Sequence, residues 1–141
     1  MRMVAQQARD RLAASGHGVL ATVHPVRGVD AVPVVYAVDP AGVVGIPVDL
    51  VKAKTTTRLQ RERNLEADPR ATLLIEHWDA SDWSRLWWVR AELRRIEGTD
   101  AALEERLAGL LSQRFGQYAD RPFAGLLLLR IVAVRGWTAE G

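Results

Sequence analysis

The spacing between the apolar, β-leaning runs constrains this chain more than any other feature. Gly18–Val23, the valine-rich Ala31–Val38 and Val43–Val48 follow one another with only short polar stretches between them. Ala71–Glu76, Leu86–Ile96 and Gly125–Trp137 complete a set of six. Adjacent parallel strands need a crossover of a dozen or more residues, and the gaps here are mostly too short. Asp39-Pro40-Ala41-Gly42 carries Pro at its second position and Gly at its fourth, so the second and third runs are expected to form a hairpin. Along 86–96, Trp88, Arg90, Glu92 and Arg94 share one face by alternation. The pattern predicts an antiparallel sheet curled into a barrel.

Three segments have helical spacing. Met3–Ser15 places Val4, Ala8 and Leu12 four residues apart, and Gly16 supplies the stop. Thr57 and Gln60 have capping-box spacing, which predicts a helix from near Thr57 to about Ala67, before Pro69. Asp100 is placed to cap a third helix, with Leu103, Leu107, Leu110 and Leu111 as its apolar stripe. The segment Phe115–Phe123 is expected to be a loop. The expected order is helix, three strands, helix, two strands, helix, strand, in one α+β domain spanning residues 1–141.

A chain of 141 residues with 48% apolar residues can bury a core without staples. Its lack of cysteine excludes disulfides, thiolate metal sites and a cysteine nucleophile. Met1–Arg11 lacks the apolar run of a signal peptide, and the run Leu126–Leu129 is too short to span a bilayer. The expected location is therefore cytoplasmic. The net charge is +2, but the basic residues are unevenly placed. Lys52, Lys54, Arg58, Arg61 and Arg63 crowd one stretch against the single acid Glu62, a pattern suited to an anionic ligand or to a solvated helix face. Acidic stretches at 79–82 and 100–105 balance this charge, and no aromatic-plus-basic strand motif for RNA is present.

Two segments are able to carry chemistry. In the first, Val48 to Arg58, a strand ends, two lysines follow and a helix begins among threonines. Unpaired N–H groups and the dipole at such a terminus, with lysines and hydroxyls added, make a phosphate cradle or an ordinary capped helix. In the second, His77 to Trp88, four of the five tryptophans fall within eleven residues. Clustered indoles can stack on a planar heterocycle, line a subunit interface or plug a barrel end. His77, Asp79 and Asp82 match no common metal-ligand spacing, so no metal is expected. His17 and His24 flank the first strand, where either could be a proton donor, though solvent-exposed loop histidines are the expectation. No nucleophile elbow, zinc-protease motif, P-loop or dinucleotide fingerprint is present, which leaves any chemistry to a cofactor.

Gly18-Val-Leu-Ala-Thr-Val23, Val32-Pro-Val-Val-Tyr36, Lys54, and Arg63-Asn-Leu-Glu-Ala-Asp-Pro-Arg70 together resemble the pyridoxamine-phosphate-oxidase-like superfamily. Asp82-Trp-Ser-Arg-Leu-Trp-Trp-Val-Arg90 and the closing Arg135-Gly-Trp137 narrow the resemblance to a subgroup of probable F420-dependent oxidoreductases. The likeness runs from about Arg11 to Trp137. It implies a six-stranded antiparallel split β-barrel with flanking helices, and a homodimer holding two cofactors between its subunits. It also implies that Lys52, Lys54, Thr55 and Thr56, with Arg58 nearby, hold the cofactor phosphate. The tricyclic ring would lie along the strand ends Pro33–Val35 (Pro33 and Val34 foremost) and Pro47–Asp49 (Val48 and Asp49). Trp83, Trp87 and Trp88 would close the pocket, from the same or the partner subunit. Where the subgroup tends to have lysine-proline-lysine, this chain has Lys52-Ala53-Lys54, and the lost proline leaves that loop less rigid.

The activity so implied is hydride transfer from reduced F420 to a small electron-poor organic substrate. Its proton comes from solvent, or from His77 or Tyr36, and no catalytic residue stands out. An FMN-dependent oxidase or reductase on the same fold, or a non-catalytic cofactor or tetrapyrrole binder, is the alternative.

Overall fold

The computed structural model describes residues 1–49, 59–121 and 123–140. The chain runs α1 (Ala5–Ser15), β1 (His17–His24), β2 (Gly28–Val35), β3 (Ala37–Asp39), β4 (Val43–Asp49), α2 (Gln60–Ala67), β5 (Arg70–His77), β6 (Trp87–Arg95), α3 (Ala101–Arg114) and β7 (Phe123–Thr138). Short 3₁₀ turns lie at Trp83–Arg85 and Gly116–Tyr118. Every strand pairing is antiparallel, and the sheet order is β2-β1-β5-β6-β7-β4-β3. The α+β class and the antiparallel sheet are therefore as the spacing predicts.

The sheet has seven strands, not six. The run Ala31–Val38 is not one strand. Its first part belongs to β2 and pairs with β1, and its last part belongs to β3 and pairs with β4. Tyr36 is the joint. It is fully buried; its N–H donates to the Gly16 carbonyl at 2.9 Å and its hydroxyl to the Leu12 carbonyl at 2.6 Å. With its backbone committed outside the ladder, the chain changes partners there. Because β2 and β3 are the two edges of the sheet, this one residue also joins edge to edge. The sheet must curl to allow it, and the result is a half-barrel.

The buried alternations of β1, β5 and β6 face the interior, where Leu20, Leu73, Ile75, Val89 and Ala91 pack with Leu12, Tyr36 and Leu129. A second cluster forms where α3 lies against β3, β4 and β7 and buries Leu103, Leu107 and Leu111 on Ala37, Val43 and Leu128. Ala108 is buried there too, whereas Leu110 of the expected stripe sits 36% exposed at its rim. Gly45 permits this docking: a Cβ there would lie 2.9 Å from Leu107 Cδ1.

The local signals are mostly as expected. Gly16 ends α1 with φ 80°, a left-handed conformation that favours glycine. The Asp39 carbonyl accepts from the Gly42 N–H at 2.9 Å in the β3–β4 turn. Asp100 accepts from the Leu103 N–H at 3.1 Å. Some boundaries differ. α1 begins at Ala5 rather than Met3, because Met3 is drawn to β7 by a hydrogen bond from its N–H to the Gly136 carbonyl. The second helix begins at Gln60, after an extended Leu59 (φ −76°, ψ 154°), and the Thr57 expected to cap it lies outside the described residues. Glu62 instead accepts the Leu59 N–H, at 3.2 Å. The final strand starts two residues before Gly125.

Candidate functional site: the split in the barrel

The half-barrel is left open along one line. β2 is an edge strand, with β1 on one side only. β4 pairs with β3 only through Val43–Gly45, so Ile46–Asp49 has no partner on that side among the described residues. Each of these unpaired edges carries a proline, Pro33 on β2 and Pro47 on β4, and proline has no N–H to offer a neighbouring strand. Between them lies a cavity of about 210 Å³, lined by His17, Pro33–Val35, Ile46, Pro47, Arg61 and Tyr118. Five of its eight lining residues are proline or aliphatic, which suits the faces of a planar ring, while His17, Arg61 and Tyr118 stand beside them and most of the exposed surface of the cavity is polar. Its volume is below the roughly 300–1,000 Å³ of pockets that bury a whole ligand, so it can house only part of a cofactor-sized molecule.

Arg61 reaches this cavity from the first turn of α2, and Asn64 fixes that helix in place. Asn64 is fully buried. Its Nδ2 donates to Thr22 Oγ1 at 3.0 Å and to Asp30 Oδ2 at 2.9 Å, and its Oδ1 accepts from Gln60 at 2.8 Å. One side chain therefore ties α2 to both strands of the β1–β2 hairpin. The Asn64 hydrogen bond, followed by that of Arg27, holds the Asp30 carboxyl below its ordinary pKa. Tyr118, which only the fold brings to the cavity, and Asn64, which holds α2 beside it, carry no chemical signal in the sequence. Asn64 does stand within the Arg63–Arg70 run that carries the family resemblance.

The residues expected at the site divide as follows. Pro33 and Val34 line the cavity, and Val48 and Asp49 continue β4 just beyond it. Lys52, Lys54, Thr55, Thr56 and Arg58 lie outside the described residues. The tryptophans do not gather there. Trp83 is 66% exposed on the 3₁₀ turn beside Trp78, with ring centroids 6.5 Å apart. Trp87 packs against the interior cluster, stacked on His77 and covered by Arg11. Trp88, one residue on, points to the opposite face, because successive strand residues alternate.

The candidate proton donors also move apart. Tyr36 is withdrawn into the core, where burial pushes its phenol above the ordinary value. His77 is occupied with Trp87. His24 is built into the β1–β2 turn, where its Nδ1 accepts from the Val26 and Arg27 N–H groups. His17 is the histidine that lines the cavity. Among the described residues no group of acidic or histidine side chains is arranged to hold a metal, and no helix is long and apolar enough to cross a membrane.

No family model and no curated sequence matches this chain. Solved structures do match its fold. A crystallised FAD-binding protein from Mesorhizobium loti superposes with a TM-score of 0.72 at 17% identity, over 96% of this chain and 93% of its own. An FMN-binding protein from Syntrophomonas wolfei gives 0.68 at 14% identity, over 95% and 86%. The heme storage protein of Vibrio cholerae gives 0.64 at 15% identity, over 93% and 91%. This chain shares with flavin-binding and heme-binding split-barrel proteins a curled antiparallel half-barrel with three helices.

Proposed function

We propose that the chain is a cytoplasmic flavin- or deazaflavin-binding redox protein that works as a homodimer, with F420 as its cofactor. The observation that carries this reading is the proline-lined split between β2 and β4. It opens at the end of the strand that leads into Lys52 and Lys54. A ring system seated between Pro33 and Pro47 would lie beside the last residues of β4, only a few positions before Lys52 and Lys54 in the sequence, and Arg61 lines the same cavity. The reduced group, when bound, supplies a hydride to a small electron-poor acceptor. The chain's own part is to hold the ring edge against the acceptor and keep water from its faces. With Tyr36 buried, the balancing proton comes from solvent.

A second subunit is supported by the outer face of β2, β1 and β5. Among the described residues it presents Val19 (38% exposed) opposite Leu74 (39%), and farther along the same face Val29 (69%) opposite Val23. A partner packed there would bury these side chains and deepen a cavity too small on its own. FMN is the alternative cofactor, favoured by the flavin-binding proteins of the same fold. Non-catalytic binding of a tetrapyrrole is a second reading, favoured by the heme storage protein and by the withdrawal of Tyr36 from the site.

The test is a fluorescence titration of purified protein with F420 and with FMN, using Lys54→Ala and Arg61→Ala as controls. Tight F420 binding that both variants weaken is the expected result. Preference for FMN would move the cofactor and keep the site. Binding of neither would overturn the redox reading.

A further inference from the structure

We propose that a second ligand site, for small planar aromatic anions, lies in the groove between the N-terminal segment and the outer face of β6 and β7. The groove encloses about 540 Å³ and shares no lining residue with the split between β2 and β4. That volume is within the range that takes a small organic ligand whole.

Its floor is a two-by-two set of side chains on one side of an antiparallel pair. Trp88 stands opposite Trp137, and Arg90 stands opposite Arg135. Arginines placed directly across a strand pair repel each other, and Glu92, two residues on along the same face of β6, stands opposite Ala133 rather than between them. Among the described residues, no carboxylate forms an ion pair with Arg90, Arg135 or the nearby Arg2, and none lines the groove. The Arg90 guanidinium sits 5.3 Å from the centroid of the Trp88 ring, so charge and aromatic face adjoin.

The opposite wall is fixed rather than loose. Arg2 bridges to Trp137, and the Met3 N–H donates to the Gly136 carbonyl at 2.9 Å. A Cβ at Gly136 would lie 2.7 Å from Met3 Sδ, so glycine is what lets the N-terminal segment close on β7. α1 then begins at Ala5 in this wall, with no side-chain cap and no acid in its first turn, and its dipole adds to the positive field of the arginines.

Three guanidinia that form no ion pair among the described residues, beside two indoles, suit one ligand chemistry, a planar ring bearing a carboxylate or phosphate. The ring stacks on an indole, and the acidic group accepts charge-assisted hydrogen bonds from the arginines. A flat apolar patch would lack the arginines, and a simple anion site would have no use for the paired indoles.

The test follows the five indole N–H resonances of ¹⁵N-labelled protein during titration with 2-naphthoate, 2-naphthyl phosphate, 2-naphthalenemethanol and inorganic phosphate. Saturable shifts at Trp88 and Trp137 with one or both aromatic anions are expected, and their relative strength identifies the preferred acid. The alcohol and inorganic phosphate should bind at least about tenfold more weakly. Arg90→Gln with Arg135→Gln should weaken the aromatic anion by about tenfold or more, while unchanged Trp78 and Trp83 signals show that the fold is intact. Shifts confined to Trp78 and Trp83, an alcohol that binds as well as the acids, inorganic phosphate that binds as well as the aromatic anions, or a double variant that binds normally would each overturn the proposal.

Discussion

Replacing Tyr36 tests the joint on which the barrel depends. Tyr36→Phe keeps the ring and removes one hydroxyl, which donates to the Leu12 carbonyl at 2.6 Å. A single buried neutral hydrogen bond contributes about 0.5–1.5 kcal/mol net. In a domain of this size that is a fall in Tm of roughly 2–6 °C. Tyr36→Ala also empties a fully buried aromatic site, which costs about 3–5 kcal/mol and is a large part of an ordinary domain's stability. The two variants thus separate the hydrogen bond from the packing. Burial also raises the phenol's pKa in the fold. The unfolded chain therefore gives up this proton near its ordinary value of about 10 while the folded chain still holds it. The stability carried by the neutral phenol is complete below about pH 10 and falls as pH rises towards the folded value. A phenylalanine ring at this position cannot ionise, so the gap between wild type and Tyr36→Phe should narrow above about pH 10. Guanidinium unfolding at neutral pH and at two alkaline values measures all three quantities. A Tyr36→Phe cost above about 3 kcal/mol, or a gap that stays constant into the alkaline range, would refute the assignment of Tyr36 as a neutral, hydrogen-bonded joint.

Gly45→Ala should cost about 1–3 kcal/mol in denaturant unfolding by pushing α3 off β4, and Leu107→Ala in the same chain should relieve part of that cost; simple additivity would count against the contact. Asn64→Leu removes the polar tie between α2 and the β1–β2 hairpin, so amide exchange should accelerate in Gln60–Ala67 while β5 and β6 keep their protection. Equal loss of protection everywhere would mean that Asn64 supports the whole core rather than one helix. Burial pushes the Asp39 carboxyl up, but the Ala41 N–H and the Arg106 guanidinium outweigh it and hold its pKa below the ordinary value. Its contribution is therefore present above about pH 4 and is lost as pH falls through the lowered value, and Asp39→Asn should flatten that acid limb in a thermal-melt series.

The sequence carried the antiparallel sheet because short gaps between apolar runs leave no room for crossovers, and it carried α3 because Asp100 and the leucines agree on one register. It concealed the joint at Tyr36. Ala31–Val38 is apolar throughout, so composition shows no break. The break is one of parity: Val34 and Tyr36 are buried two apart, and then Ala37 and Asp39 are buried on the other phase. A shift of one residue in a two-residue period is the mark of a strand changing partners. Parity also decides the tryptophans. Trp87 and Trp88 are neighbours in sequence and so cannot share a face of β6, a consequence available from alternation alone. Asn64 was less accessible, since its partners Thr22 and Asp30 lie 42 and 34 residues away.

The position of the split follows from the closure itself. A sheet whose two edge strands are continuous through one residue can close tightly only near that residue. Close to Tyr36, β3 pairs with β4; farther along β4, beyond Gly45, β3 has turned into β2 and the ladder stops. The two edges then diverge with their hydrogen-bonding sides facing each other, an arrangement that ordinarily invites water or a further strand. Pro33 and Pro47 lie in that stretch and remove donors that would bridge it. A gap kept open by proline, with aliphatic side chains on its walls and the polar groups of His17, Arg61 and Tyr118 beside them, suits a flat ring with a polar edge. The joint that closes the barrel at one end thus leaves it open where a cofactor would sit.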